Sequence, residues 1–526
     1  VFNKKKRKIM AKYNQTKVTP TVTTHQGGQG FKFEPKLELI ALLATGLDGK
    51  FYEKENEREK RLVELIKEVG KKEPVFVAKA LVYARSVMGQ RSITHVGSVA
   101  AAQVLSGNPL ASRFFGKRDR KLNTGGIVYR LDDMLEIMAY YFLRNPGKPV
   151  PNAMKRGFKS ALESADAYEL AKYQAKTKDI SLVDIVNLVH PKPTKNMENV
   201  FKQLMNGELK QFNTAEDKNT KSGQEVAEKV KTGVITKEQA QVELKEAKEE
   251  NWKQLISDGT IGYLALLRNL RNIVNETTED VFKKALELLT NEKLISKSLV
   301  FPHQIDLAFE VLLLENRVPS NRRTDLLTAV NKAYELAIPN LKELFSHGRT
   351  AVVVDTSGSM TSGISVNGKR INTSAVEKGS LIAATLSKGI GADLYHFSNR
   401  CEKLEYNPLD TVNTIKNVVL RRMFSGGTEF NSIFRSLQGK YDRIFVISDM
   451  QGGDSITHGS TYQDYVRTNG QPFVYSIDLC GYGTTMFKQN DKLINLFGYS
   501  KDIFEQVKVC EIDPKQILKE IEKIII

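Results

Sequence analysis

The chain has 526 residues, 41% of them hydrophobic, and carries 78 Lys+Arg against 61 Asp+Glu, a formal net charge of +17. Average apolar content excludes global disorder and collagen, and three cysteines exclude a disulfide scaffold. No apolar run approaches the ~20 residues of a membrane-spanning helix, and the length allows about two to four domains.

Cys401, Cys480 and Cys510 form no CxxC pair and read as free thiols of a reducing, cytoplasmic compartment. The run Lys4-Lys5-Lys6-Arg7-Lys8 is followed by no apolar segment, so it does not read as a secretory signal. Residues 1–9, ahead of Met10, read as a tag or an upstream extension. Residues 1–30 as a whole read as a flexible arm, polar and Gly/Thr-rich through Gly27-Gly28-Gln29-Gly30.

From Pro35 to about Pro339 apolar residues recur every three or four positions, as in Leu62/Leu65/Ile66/Val69 and Val77/Leu81/Ala84/Val87. Short Gly, Pro and Asn links separate these segments, for example Asn145-Pro146-Gly147. Many helices over ~300 residues exceed one bundle and point to a stacked array of degenerate repeats across 31–348. A charged insertion interrupts the array at about 207–250. Asn213 to Gly223 reads as a mobile loop, and Thr236-Lys237-Glu238-Gln239 as the capped start of an exposed helix.

Past Gly348 strands alternate with helices, which predicts a parallel, doubly wound α/β domain over 349–526. Thr350–Val354, Ala392–Phe397, Arg443–Ile447 and Phe473–Ile477 read as strands. Ser374–Lys388, Thr411–Leu420, Glu429–Leu437 and a closing Pro514–Ile525 read as helices. The charge divides unevenly. Residues 349–526 hold 21 Lys+Arg against 19 Asp+Glu, residues 1–9 hold five cations, and a net +10 remains on 10–348. A basic domain beside a nearly neutral one suggests a polyanion partner for the first, with a solubility surface as the plain alternative.

The first strand of the α/β domain runs into Asp355-Thr356-Ser357-Gly358-Ser359, and the third ends at Ser448-Asp449. Between them Gly426-Gly427-Thr428 opens a helix. In a doubly wound sheet these loops meet at the carboxyl ends of the strands, where ligands bind. Oxygen-only donors suit a hard cation such as Mg²⁺. The set Asp355, Ser357, Ser359, Thr428 and Asp449 resembles the metal-ion-dependent adhesion site of von Willebrand factor A domains. The resemblance implies a divalent metal that grips an acidic group of a partner.

The helical part resembles TROVE domains, the RNA-binding module of the Ro autoantigen family. Val87–Ser98, Gly126–Tyr141, Ala171–Lys192 and Trp252–Ile273 carry the resemblance, and the order TROVE then A domain is that of Ro proteins, here of a bacterial or phage kind. It implies a ring-like α-solenoid of HEAT-like repeats followed by a Rossmann-like A domain. It also implies single-stranded 3′ ends of misfolded noncoding RNA in a basic central hole and a Y-like RNA on the outer surface. An exoribonuclease such as polynucleotide phosphorylase is the implied protein partner of a chain that is otherwise monomeric and not membrane-bound.

Lys172, Lys176 and His190 fall on family positions that bear on Y RNA. One of these, Lys176, is Arg in the family, which loses the guanidinium fork. The chain is one residue longer between Lys172 and His190, which leaves the alignment of Lys178 open. Arg91, His95, Arg130, Arg268 and Arg271 are nominated for the hole, and Lys155, Arg156 and Lys159 for the outer surface. Each has a plain reading beside the functional one. The lysines suit a solvated face, His190 suits a helix end, and Arg130 suits an ion pair with Asp132-Asp133. No Walker loop, HExxH, GxSxG or paired Cys/His set appears, so a scaffold rather than an enzyme is expected. The rivals are a Mg²⁺-dependent protein-interaction module and a metal-dependent nuclease.

Overall fold

The computed structural model describes residues 20–174, 180–209, 229, 236–259, 261–298, 300, 302, 305, 318–338, 348–366, 369–423, 426–454, 456, 461–498, 507 and 516–526. Lys176, Lys178, most of the 207–250 insertion with its Asn213–Gly223 loop, Cys510 and residues 1–19 lie outside them.

Local sequence sets the helix starts. Pro35 and Pro74 open Pro35–Thr45 and Pro74–Ser86, where the missing N–H is not needed. Asp166/Glu169, Ser181/Asp184, Thr236/Gln239 and Ser374/Glu377 form reciprocal capping boxes. The Lys237–Ser257 helix runs out of the expected insertion without a break, and its far end seats Trp252, Leu255 and Ile256 in the core. The 207–250 boundary therefore does not coincide with a boundary between elements.

Helices from Pro35–Thr45 to Glu198–Asn206 share one hydrophobic core, and those from Lys237–Ser257 to Ser320–Leu336 share another. The second core is continuous with one face of a six-stranded sheet. Its order is Leu493–Phe497, Phe473–Asp478, Arg443–Ser448, Thr350–Asp355, Asp393–Phe397, Cys401–Leu404. The central strands are buried on both faces, as parallel strands are, and their side chains alternate. Val352 and Val354 join the core that faces the helices, while Ala351 and Val353 pack with Phe430, Phe434 and Tyr441 on the other face. One detail departs from the expected all-parallel sheet: Cys401–Leu404 pairs antiparallel with Asp393–Phe397 as an edge hairpin.

The sheet domain holds both ends of the helical series. At the first end, Arg61 donates to the Gly481 carbonyl (2.6 Å), and Ile517, Ile521 and Ile524 of the C-terminal segment enter the first core. Arg118 and the Gly125 N–H both donate to the Ile525 carbonyl, each at 3.0 Å. At the last end, Glu335 accepts from the Val412 N–H (3.3 Å) and pairs with Lys388 (3.0 Å). The predicted closing helix, observed as Gln516–Glu522, thus packs on the helical array at Pro74–Ser86.

The arm is not a free arm over 20–30. Val22–Thr23 and Gln29–Lys32 form a hairpin, and Gln29–Lys32 pairs with Thr484–Thr485 of the sheet domain. Phe31 and Phe33 are buried, which gives the segment its own apolar anchor.

Candidate metal centre and nucleic-acid interface

Strands Thr350–Asp355 and Arg443–Ser448 are neighbours, but the chain leaves them toward opposite edges of the sheet. This is the topological switch point, where a crevice opens beyond the strand ends. Asp355 ends the first strand and Asp449 follows the second. Ser357 and Ser359 lie on the turn entering Gly358–Thr361, and Thr428 precedes the Phe430–Ser436 helix. All five are at most 3% exposed.

The five form one polar cluster. Asp355 accepts from the Ser357 N–H (2.9 Å) and the Ser448 hydroxyl (2.6 Å), and the Ser357 and Ser359 hydroxyls lie 3.3 Å apart. The Gln451 N–H donates to one oxygen of Asp449 (3.1 Å), while the other is buried without a partner. Burial pushes the Asp355 carboxyl up to about 6. Burial, and then the charge of Asp355, pushes Asp449 well above the usual range. Among the described residues no Lys, Arg or His pairs with either carboxylate, and no group of three His, Cys, Asp or Glu residues gathers anywhere. Two buried carboxylates, one with an orphaned oxygen, and three hydroxyls suit a small hard cation that keeps part of its own water.

Sequence reasoning missed what covers this cluster. Gln26 donates through Nε2 to the hydroxyls of Thr428 (3.0 Å) and Ser359 (3.4 Å), and its Oε1 accepts from the Thr428 N–H (3.0 Å). Tyr52, from the loop after the first helix, lies beside this turn, and His25 stacks on its ring at 4.9 Å. The glycine run at 27–30 was the one signal of a close approach.

The nominated hole residues meet at the start of the Asp132–Arg144 helix. Asp133 is fully buried and accepts from Arg85 (2.9 Å), from His95 (2.9 Å) and from the N–H groups of Tyr129 (3.0 Å) and Arg130 (2.9 Å). Burial alone would raise its pKa, but the His95 hydrogen bond and the charges of Arg85 and His95 hold it below the usual range. Asp132 pairs with Arg91 and with Arg130 (3.1 Å). Arg130 thus makes the ion pair with Asp132 that its sequence position suggests. His95, 5% exposed, holds Asp133 and offers no face to RNA, which removes it from the nominated set.

Arg130 stays partly exposed and lies over the Tyr173 ring (5.2 Å). Lys172 lies over the same ring (5.7 Å) and over Tyr168 (5.6 Å), and Arg120 over Tyr129 (4.6 Å). Arg130, nominated for the hole, and Lys172, nominated for the outer surface, thus share one tyrosine. The helix bearing Lys172 ends at Tyr173, and Lys176 lies outside the described residues. His190 is the left-handed C-cap of Leu182–Val189 (φ 46°) and is exposed. Arg156, Arg268 and Arg271 are exposed and Lys155 and Lys159 half-buried, on two helices separate from the tyrosine cluster. The signal for this surface in the sequence is the interleaving of Tyr129, Tyr168 and Tyr173 with basic residues.

The TROVE domain family matches residues 33–251 and 235–335. The chain belongs to the TROVE-domain family. The crystal structure of the Deinococcus radiodurans Ro (RSR) protein is similar to this TROVE-domain chain at a TM-score of 0.57 and 16% identity, covering 90% of this chain and 100% of that one. At this identity the likeness carries the fold, a helical array followed by a sheet domain. No curated protein matches the chain. No described helix is long and apolar enough to cross a membrane.

Proposed function

We propose that this TROVE-domain protein binds noncoding RNA, taking single-stranded 3′ ends of misfolded molecules in the basic array and a Y-like RNA on its outer surface, as a scaffold for RNA quality control. The observation that carries the reading is the cluster of Tyr129, Tyr168 and Tyr173 interleaved with Arg120, Arg130 and Lys172. Unpaired bases stack on aromatic rings and guanidinium planes while cations neutralise the phosphates. A duplex offers neither free base faces nor splayed ends, so the cluster favours a single strand. The family's RNA-binding character agrees with the +10 of residues 10–348. An exoribonuclease of the polynucleotide phosphorylase type would act on the RNA so presented, and the chain itself performs no catalysis.

Asp355, Ser357, Ser359, Thr428 and Asp449 would hold Mg²⁺, which supplies positive charge between two buried carboxylates. The rival reading, a Mg²⁺-dependent module for an acidic protein partner, draws on the same orphaned oxygen of Asp449. The two separate by substitution. Tyr173→Ala should weaken binding of a 3′-tailed RNA roughly tenfold, the loss of one stacked base. Asp355→Ala should leave that affinity unchanged. Unchanged affinity in Tyr173→Ala, together with loss of a protein partner in Asp355→Ala, would favour the rival.

A further inference from the structure

The turn Thr24–Gly28 is anchored on the sheet domain beside the metal centre. The Thr24 hydroxyl donates to the Gly452 carbonyl (2.6 Å), the His25 N–H to the Gln451 side chain (2.9 Å), and the Gln29 N–H to the Asp454 carbonyl (3.2 Å). Gly27 turns the chain with φ +88°, which suits glycine, and a Cβ on Gly28 would stand 2.3 Å from the Gly452 oxygen. Between these anchors Gln26 reaches two of the five candidate metal donors, Thr428 and Ser359, and also binds the backbone of Thr428. Gln451, which holds His25, is itself bonded to both the side chain and the backbone carbonyl of Asp449's turn, at the Asp449 oxygen (3.1 Å) and the Asp449 carbonyl (3.4 Å).

A carboxamide is a neutral counterpart of a carboxylate, with one oxygen able to face a cation and an N–H₂ group able to serve hydroxyl oxygens. An acidic side chain of a partner would need the same face of the cluster. We propose that Gln26 is an intrachain cap of the metal centre: metal binding latches the Thr24–Gly28 turn to the sheet domain, and an acidic partner binds there only by displacing that turn. This rests on reading the five oxygens as a metal site.

The test uses the full chain with Mn²⁺ as the probe, bound metal followed by electron paramagnetic resonance and the turn by amide hydrogen exchange. Mn²⁺ should slow exchange of the amides between Gly28 and Lys32 about tenfold, the energetic scale of one charge-assisted bond. Gln26→Ala should still bind Mn²⁺ but lose this response. Gln26→Glu adds ligand charge and should bind Mn²⁺ about tenfold more tightly, whereas a merely structural amide would be harmed by that change. Bound Mn²⁺ with no change in exchange, or an unimproved affinity in Gln26→Glu, overturns the proposal and leaves the metal reading standing. If neither the natural chain nor Gln26→Glu binds Mn²⁺, the metal reading fails and takes the proposal with it.

Discussion

Asp133 receives four donors and is the residue on which the basic cluster is arranged. It fixes Arg85 and His95, and through the turn it fixes Tyr129 and Arg130. Asp133→Ala leaves buried Arg85 unpaired and should cost about 3 kcal/mol, read as a fall in Tm. An unchanged Tm would show that the network is not structural. The depressed carboxyl also gives a pH dependence with a definite sign. Its stabilisation is complete above the unfolded value of about 3.9 and is lost as pH falls from there toward the lower folded value. Thermal unfolding should therefore be flat in this respect from pH 7 to 5 and weaken below pH 4, and Asp133→Ala should blunt that loss. The five candidate metal donors were legible because each lies next to a strand end or a glycine turn, so local pattern and fold class placed them together. Gln26 was not, since 402 positions separate it from Thr428 and nothing local marks a glutamine as a cap.

The same contrast holds for elements. The buried strands Thr350–Asp355 and Arg443–Ser448 were read from their unbroken apolar runs, and Phe473–Asp478 from Phe473-Val474-Tyr475, which only the small Ser476 separates from Ile477. Cys401–Leu404 was missed because its middle is Glu402-Lys403, as an edge strand permits, and Leu493–Phe497 because Asn495 interrupts its run. Asn495 is buried and paired with Thr485 (2.9 Å), a partner only the fold reveals. The hairpin of Val22–Thr23 and Gln29–Lys32 looked like a linker because its partner strand is Thr484–Thr485, far along the chain. Its fit is tight at Gly28, so Gly28→Ala should destabilise it by roughly 1–3 kcal/mol, the cost of overpacking. Limited proteolysis between residues 20 and 33 should accelerate; an unchanged cleavage rate would mean the turn is not held.

At the scale of the molecule, the sheet domain joins the first and last helices of the array, which returns the chain on itself. Removing residues 516–526 strips Ile517, Ile521 and Ile524 from the first core and the Ile525 carbonyl from Arg118. Hydrogen exchange in Pro74–Ser86 should then speed up well before the sheet domain is affected; equal protection in both forms would show that the C-terminal segment does not close the array. The uneven charge was legible from composition, but its organisation was not. Arg91 and Arg130 are partly offset by Asp132 and Asp133, so what distinguishes the surface is the joining of the remaining cations to tyrosines.

That joining is tested most directly by binding of one RNA hairpin with and without a single-stranded 3′ tail, across a salt series. The tailed RNA should bind more tightly at every salt concentration, with log affinity falling linearly in log salt, and Lys172→Ala should reduce that slope by about one unit or less. Equal, negligible binding of both RNAs at moderate salt would contradict an RNA-binding function.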